Sequence, residues 1–292
     1  MGSLPISGTT RVAFVIGDPI AHSLSPAMHN AAFRHLGIDG VYVALRIDPA
    51  NLAHAVAGFR ALDILGFNVT VPHKEKILPL LDRVSPAARL TGAVNTVIRR
   101  KGKLLGENTD VIGFRRALED EGVELEGKRA LLIGAGGAAR AVLTALKQGR
   151  ASSVVIANRT PQRSETLARR FRARGFRCST ISLDQLQDER LAASIELTIN
   201  STSIGLTGES FLPIPYRAFS ADCLFYDLIP RGRTDFLFCA RRARRKAVDG
   251  LGMLLHQGAA AFELWTGEPA PVAVMRQALD DAFRRALRKA RH

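Results

Sequence analysis

The sequence predicts an α/β fold of two domains, each with its own largely parallel sheet, and three observations carry that expectation. Short apolar runs alternate with helical patterns from residue 11 to about residue 229, the rhythm of successive βαβ units. A glycine-rich turn, IGAGGAARA at 133–141, sits near mid-chain, so the nucleotide-binding unit it opens is preceded by a second, complete unit. The length of 292 residues also lies where one hydrophobic core stops growing, near ~250–300 residues, and chains divide. With 47% hydrophobic and 23% charged residues, disordered, collagenous and fibrous classes are excluded.

The first third reads as follows. RVAFVIG (11–17) is an apolar run suited to a strand buried on both faces. SPAMHNAAFRHLG (25–37) is a helix with Ser25 as N-cap, Pro26 at the first helical position and Gly37 as terminator. GVYVALRI (40–47) is a second strand, PANLAHAVAGFRALDIL (49–65) a helix, and GFNVTVP (66–72) a third strand stopped by Pro72. KEKILPLLD (74–82) and SPAARL (85–90) are short helices; AVNTVIRR (93–100) and KLLGEN (103–108) are strands joined at Lys101-Gly102-Lys103.

Asp110 opens a helix, DVIGFRRALEDEG (110–122), and the alternation repeats. Strands are expected at 129–134, 153–158, 176–183, 195–200 and 223–229, with helices at 137–149, 160–175 and 183–193, a doubly wound nucleotide-binding domain. Three further helical patterns (234–247, 250–265, 271–290) follow with no strand expected between them, and they are expected to pack back on the first domain. The domains are therefore drawn as 1–109 with 250–292, and 110–249.

Cys178, Cys223 and Cys239 are odd in number and widely spaced, which reads as free thiols, neither a disulfide framework nor a zinc site. The start shows no cleavage pattern and no window reaches the ~18 apolar residues of a spanning helix, so a cytoplasmic location and no membrane partner are expected. The net charge of +14, from 41 Lys and Arg against 27 Asp and Glu, gathers at RRARRK (241–246) and RRALRKARH (284–292). Arginines there alternate with Ala and Leu without interleaved aromatics, so both read as solvated helix faces, and no nucleic-acid partner is expected.

The cofactor turn is Gly134, Gly136, Gly137, Ala138 and Ala139 between a strand and a helix, where free N–H groups and the helix dipole can hold a pyrophosphate. The next strand ends in Asn158-Arg159-Thr160, with no acid to accept from a ribose 2′-OH; Arg159, with Arg163 one turn on, suits the 2′-phosphate of NADP. Thr160 and Pro161 also read as ordinary capping, which leaves Arg159 unexplained. In the first domain, GDPIAHSLSPAMHN (17–30) sets His22, Ser23 and Ser25 beyond a strand end. Capping and ligand-binding readings stay open for Ser25, and an ordinary loop role for His22, while Ser23 has no capping role. Lys74 ends NVTVPHK (68–74); GAVNT (92–96) supplies Asn95 and Thr96, and GENTD (106–110) supplies Asn108, Thr109 and Asp110. Asp110 could be only a helix cap. Yet Lys and Asp are the two groups that a carbonyl/alcohol interconversion needs, one to give a proton to the alkoxide and one to hold it.

Taken in order, these motifs resemble those of the shikimate dehydrogenase family over nearly the whole chain. The resemblance implies an N-terminal substrate domain completed by the C-terminal helices, a Rossmann-type NADP domain inserted between, and an active site in the cleft. It implies Ser23 and Ser25 on the substrate carboxylate, Thr70, Asn95, Tyr226 and Gln257 on its polar edge, and Lys74 with Asp110 as the catalytic pair. Thr202 in NSTS (200–203), Gly250 and Met253 would lie on the nicotinamide side. The reaction implied is reversible hydride transfer from NADPH to the C3 carbonyl of 3-dehydroshikimate, a step of aromatic amino-acid and chorismate biosynthesis, needing no metal, by a monomer or homodimer. One segment departs from the family pattern: DLIPRGRT (227–234) has Pro230 and reaches its threonine early. The alternatives are a quinate/shikimate dehydrogenase using NAD or NADP, and a catalytically dead cofactor-sensing or nucleic-acid-binding relative, against which both Lys74 and Asp110 speak.

Overall fold

The computed structural model describes residues 5–206, 209–230 and 233–289. The chain forms two compact units, Met1–Gly113 with Leu254–His292, and Phe114–Met253.

The first unit opens with β1 (Arg11–Gly17), α1 (Ser25–His35), β2 (Gly40–Arg46), α2 (Leu52–Ala61) and β3 (Ile64–Val69). It continues through β4 (Arg83–Val84), α3 (Pro86–Thr91), β5 (Thr96–Arg100) and β6 (Lys103–Glu107). β1 pairs in parallel with β2 and β3, while β5 runs antiparallel to both β3 and β6, giving the order β2-β1-β3-β5-β6-β4. The β5–β6 hairpin turns on Lys101 (φ 50°) and Gly102 (φ 74°), the paired positive φ of a turn whose twist matches its strands. On one face the rings of Phe14, Phe59 and Phe67 lie 4.8–5.1 Å apart, Phe14 stacked on Phe67 and Phe59 tilted against both, and pack with Val56, Ile64, Ile77 and Val97.

Three local expectations give way here. The helix expected over 49–65 stops at Ala61, and Leu62 is already extended, because Ile64 and Leu65 are buried as strand residues of β3. Residues 74–82 form turns with one 3-10 segment, Leu78–Leu80, and no α-helix. Pro79 has no N–H to give, and the Lys74 carbonyl accepts from Val94 instead of from a helical neighbour. Ser25 is the first residue of α1 and not its N-cap: Leu24 holds that position, and the Ser25 N–H makes a long 3.4 Å bond to Ser23 Oγ, giving Ser23 a local role that the sequence hid.

Helix α4 (Asp110–Asp120) carries the chain into the second unit: β7 (Arg129–Ile133), α5 (Gly137–Gln148), β8 (Ser153–Ala157), α6 (Pro161–Arg172), β9 (Cys178–Ile181), α7 (Glu189–Ala193), β10 (Leu197–Asn200), β11 (Leu224–Asp227), α8 (Asp235–Arg242) and β12 (Lys246–Val248). All six strands are parallel in the order β12-β11-β10-β7-β8-β9, the doubly wound arrangement whose switch point lies between β7 and β10. The helix expected over 183–193 is divided. Asp188 ends a 3-10 segment (Asp184–Gln187) and caps α7 by accepting from the N–H groups of Arg190 and Leu191.

β12 is a strand where the sequence predicts only helix. RRARRK is not one helix: α8 ends at Arg242, Arg244 has φ 58°, and Arg245 folds in to donate to the carbonyls of Phe219, Arg217 and Ala243. Those bonds turn the chain so that Lys246–Val248 pairs with β11.

Helix α9 (Leu251–Thr266) returns the chain to the first unit, and α10 (Val272–Lys289) packs on α1. There Trp265 donates to the Val97 carbonyl at 3.0 Å across Gly66, where a Cβ would stand 2.4 Å from the indole nitrogen. Arg284, Arg285 and Arg288 lie exposed on α10, as expected of a solvated face; residues 290–292 of that cluster lie outside the described residues. Among the described residues no helix is long and apolar enough to cross a membrane.

Candidate active site

Strand direction gathers the polar motifs of the first unit. Because β5 is antiparallel to β3 and β6, its start lies at the edge where β1, β3 and β6 end; Asn68 stands opposite Thr96, and Thr96 opposite Glu107. Ser23 and Ser25 follow β1, Thr70 and Lys74 follow β3, Asn95 precedes β5, and Asp110 follows β6. Lys74 Nζ lies 2.6 Å from Asp110 Oδ2, with 20% and 9% of the two side chains exposed, so the pair is shielded while the ammonium stays reachable. Asn95 Nδ2 donates to the other carboxylate oxygen at 2.8 Å, and Asn95 Oδ1 accepts the Thr109 N–H at 2.7 Å. Gln257 of α9 approaches Asn95 Nδ2 at 3.4 Å. Burial pushes the Tyr42 phenol well above its ordinary value, opposed by a hydrogen bond with Ser25. A carboxylate held on one oxygen by Asn95 and on the other by a lysine is equipped to orient that ammonium toward a substrate oxygen.

In the second unit, Gly134 has φ 112°, and a Cβ there would lie 2.5 Å from Ser201 Oγ, so only glycine serves. A Cβ on Gly136 or Gly137 would meet nothing within 4 Å, which leaves open backbone at the N-terminus of α5, where anions are held. Ala139 is fully buried, matching the small residue expected for close helix packing. Asn158 donates to the Thr160 carbonyl at 2.8 Å and Pro161 begins α6, the capping expected there, although the Thr160 side chain makes no cap bond. Arg159 and Arg163 are exposed and make no ion pair among the described residues. Gly134→Ala is expected to lower the stability of this unit by about 1–3 kcal/mol through crowding against Ser201. Thermal denaturation of the variant beside the wild type measures it.

The N-terminal region, residues 15–97, matches the model of the shikimate dehydrogenase substrate binding domain. Residues 116–206 match shikimate / quinate 5-dehydrogenase, and 250–279 the shikimate 5'-dehydrogenase C-terminal domain. A shikimate dehydrogenase (NADP(+)) of Moorella thermoacetica is 45% identical over 285 residues, covering 96% of each chain. This chain belongs to the shikimate dehydrogenase family. Solved members of the family share its fold. The shikimate 5-dehydrogenase of Thermus thermophilus, in complex with NADP(H) and shikimate, is 40% identical with a TM-score of 0.83, covering 93% of this chain and 99% of its own. That of Listeria monocytogenes, in complex with shikimate and NAD, is 35% identical with a TM-score of 0.88 over 94% and 98%.

Within this family member, Ser23, Ser25, Thr70, Lys74, Asn95, Asp110 and Gln257 all belong to the first unit, where hydrogen bonds join Lys74, Asp110, Asn95 and Gln257, whereas Tyr226, Gly250 and Met253 belong to the second. Tyr226 is fully buried in β11, edge-on to Phe114 at 5.2 Å, and its hydroxyl lies by the Met253 backbone without a hydrogen bond of good geometry. At Gly250 a Cβ would stand 2.3 Å from the Leu228 carbonyl oxygen. Thr202 donates from both N–H and hydroxyl to Asn200 Oδ1, at 3.0 and 2.7 Å. Cys178 and Cys223 are buried free thiols, pushed by burial up to about 11; Cys239 is free but half-buried.

The short loop after Asp227 has a structural reason. Thr234 donates to Asp227 Oδ2 at 2.6 Å and also caps α8, so the early threonine closes the loop onto the carboxylate; Arg231 and Gly232 lie outside the described residues. Asn200 and the Ile229 N–H donate to the other oxygen, both at 3.0 Å. Burial nevertheless raises the Asp227 carboxyl to about 6. The folded chain therefore keeps this proton to higher pH than the unfolded chain, whose Asp titrates near ~3.9. Stability contributed by this group falls as pH rises from about 4 to about 6, by up to about 3 kcal/mol, and stays lower above that. Asp227→Asn is expected to flatten this decline, measured as unfolding midpoints across that range.

Sequence reasoning assigned no role of their own to Tyr42 and Asn68, which lie in β2 and β3. The signal was present: an amide inside ILGFNV has no reason to be buried unless its polar atoms are used.

Proposed function

We propose that this chain catalyses the reversible NADP-dependent reduction of 3-dehydroshikimate to shikimate, a step toward chorismate and the aromatic amino acids. The observation that carries the reading is the Lys74–Asp110 pair at 2.6 Å, braced by Asn95 at the polar edge of the first sheet.

Ser23 and Ser25 hold the substrate carboxylate, and Thr70, Asn95 and Gln257 take its remaining polar groups. Lys74 gives a proton to the carbonyl oxygen as negative charge develops on it and takes one back from solvent before the next turnover, while Asp110 keeps the ammonium aimed. In the oxidative direction Lys74, its own proton first released to solvent, accepts the hydroxyl proton as the neutral amine.

The second unit suits the dinucleotide, with open backbone at Gly136 and Gly137 and two arginines lacking a carboxylate partner among the described residues. Gly134, Gly136, Gly137, Ala138 and Ala139 would line the pyrophosphate, and Asn158, Arg159, Thr160 and Arg163 the 2′-phosphate. Thr202, Gly250 and Met253 would lie on the nicotinamide side. When bound, the reduced cofactor supplies the hydride that the carbonyl carbon accepts.

A steady-state matrix of shikimate and quinate against NADP+ and NAD+ tests substrate and cofactor together. Shikimate with NADP+ is expected to give the highest kcat/KM. Equal efficiency with NAD+ would remove the role given to Arg159, and a lead for quinate with NAD+ would replace the reading with a catabolic one.

A further inference from the structure

Asn68 has no part in the site as assembled above, yet every polar atom of its side chain is engaged. It is 6% exposed in β3, among residues that are otherwise apolar or glycine. Its Oδ1 accepts from the Tyr42 hydroxyl at 2.6 Å, and its Nδ2 donates to the Asn95 carbonyl at 3.1 Å and to Thr96 Oγ1 at 3.0 Å. With that lone pair occupied, Thr96 turns its own proton toward Asn95 Oδ1 at 3.2 Å or Thr109 Oγ1 at 2.9 Å. Asn95 then donates to Asp110 Oδ1 at 2.8 Å. Donors thus point one way, from Tyr42 through Asn68, Thr96 and Asn95 to the carboxylate that holds Lys74. Hydrogen bonds aligned in this sense polarise and strengthen one another in a low-dielectric interior.

We propose that Asn68, supported by Tyr42, is a positioning residue for proton transfer: it fixes the main chain and amide of Asn95, and through Asn95 the orientation of the Asp110 carboxylate. The role rests on the dehydrogenase reading above. Tyr42 is 1% exposed and stacks on His29 at 4.3 Å, with the Trp265 ring centroid 5.9 Å away, so the relay begins from an immobile ring. A purely structural Asn68 would matter to stability alone, whereas a positioning Asn68 matters to kcat, because small misplacements of a catalytic group cost up to about 100-fold in rate.

The test is a double-mutant cycle on shikimate oxidation with NADP+. Asn68→Ala is expected to lower kcat about 30-fold while KM for shikimate stays within about threefold. In an Asn95→Ala background the same substitution is expected to change kcat less than about twofold, because the residue through which Asn68 acts is gone. Equal losses in both backgrounds, a loss carried by KM instead, or no loss in the wild type would each overturn the role. If Asn68→Ala does not fold, Tyr42→Phe, which deletes a single oxygen, carries the same comparison with an expected loss of about fivefold against none. An unmutated protein that fails to oxidise shikimate would overturn the functional reading itself; failed coupling in an active protein overturns only the positioning role.

Discussion

Lys74→Ala is expected to lower kcat for shikimate oxidation about 1,000- to 10,000-fold, with a far smaller change in KM for either substrate. General acid–base assistance by a placed side chain contributes about 100- to 10,000-fold, and a donor aimed at a developing oxyanion about 100- to 1,000-fold. Lys74 combines the two roles in one ammonium group. The fold should survive, because Lys74 follows β3 in a turn region and, among the described residues, its ammonium pairs with Asp110 alone. Asp110 keeps its bond from Asn95 when the lysine is gone, so its charge is not left without a donor. Circular dichroism of the variant should match the wild type while turnover is lost. A variant retaining near-normal kcat would remove Lys74 from the chemistry.

Arg159→Ala is expected to cut kcat/KM for NADP+ about 10- to 100-fold and leave NAD+ within about twofold, erasing most of the cofactor preference. A charge-assisted bond contributes about 1.5–3 kcal/mol, and a guanidinium offers two such bonds to one phosphate. Arg159 has no carboxylate partner in the described structure to lose, so its removal carries little folding cost. Arg163, in the first turn of α6, would supply the second arm, and the double variant is expected to prefer neither cofactor. A change of similar size with both cofactors would point to a general disturbance of α6 and contradict the 2′-phosphate role.

Much of the site could be read from the chain because its polar groups stand where apolar strands stop. Lys74, Asn95 and Asp110 lie far apart in sequence, yet each follows or precedes a strand, and parallel or antiparallel direction alone determines that those ends meet. What escaped depended on partners distant in sequence. Tyr42 and Asn68 look like any residues of a buried strand until their side chains are paired across the sheet. The sequence marks Ser25 as the N-cap of α1, whereas Leu24 holds that position and Ser25 is the first residue of the helix. β12 is too short to declare itself after an arginine-rich helix; it exists because Arg245 is anchored to three carbonyl groups and aligns the next residues with β11. The region after Lys74 reads as a helix by periodicity, but Pro79 and the bond from Val94 take away the backbone partners that a helix needs.

The most direct measurement is product identification after the purified protein is mixed with 3-dehydroshikimate and NADPH. The account predicts that NADPH is consumed in equal amount to the shikimate formed, with chromatography showing shikimate as the product. NADPH left unoxidised, or consumed without shikimate appearing, would contradict it.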